Sequence, residues 1–181
     1  MSKITRAIIM AAGKGTRMHP ITETIPKPLI RVHDKRMIDT IIDALHENGI
    51  DEIYVVVGYL KEAFQNLPDE VKGLTLIENP YFDTCNNISS LYVAKDYISN
   101  AIIIDGDQIV TDSTILSPEF ENSGYNCVWQ ENNSKEWMLT LNDQYKVLSC
   151  SRNGGNHAWQ LYGISRWTKR GWNKAQRTIR I

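Results

Sequence analysis

The sequence predicts an α/β protein, a three-layer α/β/α sandwich around a mostly parallel sheet, from three observations. Short apolar runs recur at residues 6–10, 53–57, 74–78 and 101–105. Segments of helical period separate them, at 37–48, 61–67 and 89–97. The runs are apolar without alternation, as in strands buried on both faces of a parallel sheet.

The elements follow in order. Residues 6–10 form the first strand, and a long polar stretch runs from it to Pro28. Met37, Ile38, Ile41, Ile42 and Leu45 share one helical face, and Asn48-Gly49 closes that helix. The second strand (53–57) leads to a helix at 61–67, the third (74–78) to a helix at 89–97, and 101–105 is the fourth. After Asp107 the pattern changes. Residues 126–130, 137–141 and 146–150 suit antiparallel strands, the last two joined at Asn142-Asp143. Gly154-Gly155 interrupts the chain, 157–165 form a further strand, and Thr168 caps a last helix. With no internal repeat and no linker, a single domain over 1–181 is expected.

Composition excludes several classes. With 181 residues, 42% hydrophobic, 23% charged, 11 Gly and 6 Pro, the chain is neither disordered nor collagenous. Its apolar runs are too short to span a bilayer. The three cysteines (Cys85, Cys127, Cys150) lack CxxC spacing, and no signal-peptide pattern precedes the first strand. A cytoplasmic protein with reduced thiols is expected. Net charge is −1, yet residues 144–181 carry eight Lys or Arg and no carboxylate. With Trp167, Trp172 and Ile179 spread through it, this basic tail reads as a solvated helix face rather than a nucleic-acid or membrane contact.

The stretch Ala11-Ala12-Gly13-Lys14-Gly15-Thr16-Arg17-Met18 follows the first strand. Small residues and two glycines let backbone N–H groups approach a phosphate chain. Arg17 adds a forked cation suited to a leaving diphosphate. Lys27 stands between Pro26 and Pro28, so its ammonium is expected to project from an extended segment. Two fixed cations suit phosphoryl or nucleotidyl transfer, which is mostly positioning and charge stabilisation. The dinucleotide fingerprint fails, because Met18 stands where its third glycine belongs, and the P-loop spacing is absent. Asp105-Gly106-Asp107 ends the fourth strand. Its two carboxylates are two residues apart, so both face one ligand at the C-terminal sheet edge. The four histidines show no metal-ligand spacing.

The whole string AAGKGTRM…PKPL resembles the signature of the nucleoside-triphosphate nucleotidyltransferases that activate phosphorylated sugars and alcohols. The resemblance implies a Rossmann-like sandwich of the nucleotide-diphospho-sugar transferase type. It implies nucleotide binding by Ala11, Ala12, Gly13, Gly15 and Thr16, with Arg17 at the β and γ phosphates and Lys27 at the α-phosphate. It also implies Mg²⁺ held by Asp107, with Asp105 supporting. The family pattern includes a later second carboxylate, whereas nothing acidic follows Asp143, so the chain is expected to be shortened relative to its relatives.

Val57-Gly58-Tyr59, Asn79-Pro80-Tyr81 and Asn86-Asn87-Ile88-Ser89-Ser90-Leu91-Tyr92 look like the bacterial phosphocholine cytidylyltransferases more than the sugar enzymes. That implies transfer from CTP to phosphocholine, with Gly58, Tyr59, Asn87 and Ser89 near the base and ribose. Ser89 also suits a helix cap. A quaternary ammonium is recognised by aromatic faces and a carboxylate, and Glu136, Trp137 and Tyr162 are the candidates. On this reading residues 1–110 bind nucleotide and 111–181 the acceptor. Alternatives are a sugar 1-phosphate or 2-aminoethylphosphonate acceptor, or a non-catalytic nucleotide-binding module. The oligomeric state is left open.

Overall fold

The computed structural model describes residues 2–175. They form two compact units, one of residues 2–123 with 166–175 and one of Gly124–Ser165.

The first unit carries a four-stranded parallel sheet. Its strands are β1 (Arg6–Ala11), β2 (Glu52–Val57), β3 (Leu74–Glu78) and β4 (Ala101–Asp105). The spatial order is β4-β1-β2-β3, with Ile8 aligned to Tyr54 on one side and Ile103 on the other. Central β1 is therefore paired along both edges, and the chain reverses beside it, which leaves a crevice beyond its C-terminal end.

Both faces of this sheet are covered. Ile8, Val56 and Ile103 pack with Ala94, Ile98 and Trp172, while Ala7, Ile9, Val55, Ile102 and Ile104 are buried on the alternate side. Helix α1 (Met37–Glu47) buries Ile38, Ile41, Ile42 and Leu45, the stripe read from its 3.6-residue period. Its N-terminus is held by Asp39, whose carboxylate accepts the Arg36 N–H at 3.1 Å. Helix α2 (Ile88–Val93) is short and is followed by a 3₁₀ turn at Lys95–Tyr97.

Two local expectations change. Residues 61–67 are not one helix but a 3₁₀ turn (Lys61–Phe64) and a separate helical turn (Leu67–Glu70). Pro68 sits in the first turn of the second piece, a position that suits the start of a helix. Lys27 is not extended either. It opens a 3₁₀ turn, Lys27–Leu29, and the extended residue is Pro26. A first turn accepts Pro28 because the missing N–H there has no partner to lose.

The second unit is antiparallel, with β5 (Gly124–Gln130), β6 (Met138–Leu141), β7 (Val147–Ser151) and β8 (Ala158–Trp167), which leaves the unit at Ser165. β6 lies between β7 and β8, and β5 pairs β8. The β6–β7 turn is built by Asn142, whose carboxamide oxygen accepts the N–H groups of Gln144 and Lys146.

Thr168 caps α3 (Lys169–Ala175) as the sequence suggests, its hydroxyl accepting the Gly171 N–H at 2.9 Å. α3 buries Trp172 and exposes Lys169, Arg170 and Lys174, an amphipathic helix with a solvated basic face. Arg177, Ile179 and Arg180 of the basic tail lie outside the described residues. Among the described residues, no helix is long and apolar enough to cross a membrane.

Candidate active site

A cleft of about 340 Å³ opens at the C-terminal end of β1. Its lining includes the glycine loop after β1, the 3₁₀ turn carrying Lys27, and the Asp105–Asp107 corner after β4. Parallel strands bring these distant segments together because each ends at the same sheet edge.

The glycine loop is shaped by Gly15, whose φ of 63° is left-handed. A Cβ at Gly15 would lie 3.0 Å from Thr22 Cγ2, and the Thr22 hydroxyl donates to the Gly15 carbonyl at 2.9 Å. Buried Thr22 thus tightens the turn that exposes the loop backbone to the cleft. Ala11, Ala12, Gly13, Gly15, Thr16 and Arg17 all line it. Lys14 turns aside to form an ion pair with Asp83.

Lys27 and Asp107 meet at the cleft floor, with Nζ 2.6 Å from Oδ2. Asp105 lies beside them, partly buried. Its carboxyl is pushed up to about 6, first by burial and then by the charge of Asp107, with Lys27 acting in the opposite direction. Two carboxylates thus share one neighbouring ammonium, and the surplus negative charge is a fit for a hard divalent cation. Among the described residues, no group of three or more His, Cys, Asp or Glu forms a cage, so such an ion would complete its shell with phosphate oxygens or water.

The lining also has uncharged side chains at the start of α2, where Asn87 precedes the helix and Ser90 lies in it. Ser89 does not line the cleft. It is 1% exposed, donates its hydroxyl to the Asn86 carbonyl and accepts from Asn79. Gly58 and Tyr59 are not among the lining residues either. A Cβ at Gly58 would fall 2.7 Å from the Phe82 side chain, so this glycine serves a close packing contact. Met10, Met18, Pro28 and Ser90 line the cleft without having been singled out in the sequence. Ser90 was legible, since it stands three residues from Asn87 on one helix face.

Glu136, Trp137 and Tyr162 belong to the second unit. The Leu161 N–H donates to the Trp137 carbonyl, bringing Trp137 beside the neighbour of Tyr162. Trp137 and Tyr162 are half exposed, and the Arg152 guanidinium lies 6.0 Å from the Trp137 ring centroid. Trp129 and Trp159 stack edge-on in the same unit. Trp172, by contrast, is a core residue of the first unit.

The family model for nucleotidyl transferases matches residues 6–117, a span that includes every residue lining the cleft. The chain belongs to the nucleotidyl transferase family. A 2-aminoethylphosphonate cytidylyltransferase of Lancefieldella rimae is 40% identical to this chain over 163 residues, covering 89% of this chain and 66% of that protein. A choline-phosphate cytidylyltransferase of Streptococcus pneumoniae is 39% identical over 142 residues, covering 78% of this chain and 61% of that protein. The solved structure of the CTP:phosphocholine cytidylyltransferase from Streptococcus pneumoniae matches with a TM-score of 0.87 at 35% identity, over 95% of this chain and 74% of that one. The chain spans just under two thirds of the length of these two curated relatives.

Proposed function

We propose that this nucleotidyltransferase transfers CMP from CTP to phosphocholine, releasing pyrophosphate and forming CDP-choline. The observation that carries this reading is the cleft itself, where the glycine loop, Arg17, Lys27 and the Asp105–Asp107 pair converge at one sheet edge. The likeness to a CTP:phosphocholine cytidylyltransferase over 95% of the chain supports the choice of substrates.

The triphosphate would lie along the glycine loop, where backbone N–H groups face it without side-chain obstruction. Arg17 would take the β and γ phosphates and Lys27 the α-phosphate, lowering the repulsion that an approaching anionic acceptor meets. A phosphate oxygen of phosphocholine forms the new bond to the α-phosphorus as the bond to the β-phosphate oxygen breaks. That oxygen is already anionic, so the step needs no base and no covalent enzyme intermediate. Asp107, with Asp105, would hold Mg²⁺, which supplies charge neutralisation and alignment of the phosphates. Glu136, Trp137 and Tyr162 are the proposed acceptor residues, suited to a quaternary ammonium by aromatic face and carboxylate. Three free cysteines, Cys85, Cys127 and Cys150, support a cytoplasmic setting.

A second reading takes 2-aminoethylphosphonate as acceptor, and the 40% identity to a 2-aminoethylphosphonate cytidylyltransferase favours it. Pyrophosphate release across CTP, UTP, dTTP and ATP, each paired with phosphocholine, 2-aminoethylphosphonate and glucose 1-phosphate, separates these readings. CTP with phosphocholine is expected to be fastest. A preference for glucose 1-phosphate with UTP or dTTP would reject the proposal.

A further inference from the structure

Every residue from Met10 to Met18 lines the cleft except Lys14. Gly13 and Gly15 on either side of it both line the cleft, so the Lys14 backbone runs along the lining while its side chain leaves it. The ammonium pairs instead with the Asp83 carboxylate, in the turn before α2. Both side chains are open to solvent, with 44% of Lys14 and 61% of Asp83 exposed. An ion pair so exposed to water and salt is worth little and is readily exchanged.

The two partners differ in what holds them. Asp83 stands in a fastened turn, where the Thr84 and Cys85 N–H groups donate to the Tyr81 carbonyl at 3.2 and 2.9 Å. The Tyr81 N–H in turn donates to the buried Asn79 side chain at 2.9 Å, and Phe82 packs against Gly58. Lys14 lies between two glycines on a flexible four-carbon stem, and among the described residues its ammonium meets Asp83 alone. Asp83 is therefore the fixed point of the pair and Lys14 the part that moves.

We propose that Lys14 is a further triphosphate-contacting residue, and that Asp83 is a positioning residue which holds its ammonium between turnovers. The inference rests on the reading of this cleft as a nucleoside-triphosphate site. A triphosphate brings several negative charges along the glycine loop, against the single charge of Asp83, so the ammonium exchanges the carboxylate for phosphate oxygens. It joins Arg17 at the phosphates that leave as pyrophosphate. When pyrophosphate departs, Asp83 takes the ammonium back and competes with the product for it. Lys27 has the same arrangement inside the cleft, its ammonium paired with Asp107.

Calorimetry with CTP and with CMP on Lys14→Ala, Asp83→Asn and the double variant tests this, with Mg²⁺ present throughout. Both side chains are exposed, so neither substitution removes core packing. Lys14→Ala is expected to weaken CTP binding roughly tenfold, the loss of one charge-assisted phosphate contact. Asp83→Asn is expected to tighten CTP roughly threefold, because the ammonium no longer has to leave a carboxylate. In the double variant the gain is expected to vanish and CTP affinity to equal that of Lys14→Ala, since Asp83 acts through Lys14. CMP, which lacks the β and γ phosphates, is expected to bind all variants equally. Wild-type CTP affinity retained in Lys14→Ala, or an equal loss for CTP and CMP, overturns the inference and leaves the cleft reading standing. Tightening by Asp83→Asn that is as large without Lys14 as with it reduces Asp83 to a nearby charge and overturns the exchange. A wild-type protein that binds CTP no better than CMP overturns the cleft reading and the inference with it.

Discussion

The Lys27 ammonium donates to Asp107 Oδ2 at 2.6 Å across 80 residues of chain. One of these groups is proposed to meet the α-phosphate and the other the metal, so each would hold the other's place. Binding of nucleotide and cation would exchange one ion pair for two new ones, with little change in the net charge each group faces.

Lys27→Ala therefore separates two effects. Turnover is expected to fall roughly 100-fold, because a charge that stabilises the transferring phosphoryl group is lost. CTP affinity is expected to fall by less than about tenfold, since the glycine loop and Arg17 retain most ground-state contacts. In the absence of nucleotide, Mg²⁺ is expected to bind several-fold more tightly, as Asp107 no longer has a competing ammonium. Isothermal titration with Mg²⁺ and with CTP checks both halves; unchanged Mg²⁺ binding would remove the competition.

Asp107→Ala is expected to lower metal-dependent turnover by roughly 100-fold or more, the loss of several kcal/mol of charge stabilisation. Steady-state pyrophosphate release at saturating Mg²⁺ is the measurement. Retention of half the wild-type rate would move the metal to Asp105 or to a residue outside this corner.

Asp105→Asn concerns stability in chelator-treated protein. The folded-state carboxyl sits near 6, above its ordinary value of 3.8, so the folded protein favours the protonated form. The cost of ionising it is absent below its unfolded value, grows as pH rises from about 4 to 6, and is complete above that. Asn carries no charge, so at pH 7.5 the variant is expected to be about 1–3 kcal/mol more stable. At pH 4 the gain is expected to vanish. Thermal melts at both values decide, and a gain of equal size at pH 4 would assign the effect to packing.

Gly58→Ala is expected to destabilise the metal-free, nucleotide-free protein by about 1–3 kcal/mol through the close approach to Phe82. A melting temperature equal to wild type would show that Phe82 yields, and would restore Gly58 as a candidate for direct nucleotide contact.

The parallel half was legible because each strand is a short, mostly apolar run that ends in polar or small residues. Leu74–Glu78 and Ala101–Asp105 stand at the bounds their apolar runs mark. The glycine loop was legible for a related reason, since its residue types serve backbone approach and do not depend on distant packing. What depended on a distant partner was not readable. Gly58 stands where it does because of Phe82, 24 positions away, and Ser89 and Ser90 both accept from Asn79, 10 and 11 positions away. The turn at Lys27 was not readable because the restriction on a residue before proline is a preference for extended backbone, which the 3₁₀ turn at Lys27–Leu29 overrides. Arg152 meets Trp137 from 15 positions away across the expected hairpin, whose strand pattern does not by itself name which side chains meet.

The most direct test of the central claim is the product itself. The chain is incubated with CTP, Mg²⁺ and equal concentrations of phosphocholine and 2-aminoethylphosphonate, and the cytidine products are separated and identified by mass. CDP-choline is expected as the main product, with one pyrophosphate released for each. A mixture that yields only the aminoethylphosphonate conjugate, or no cytidine conjugate while CTP is demonstrably bound, would contradict it.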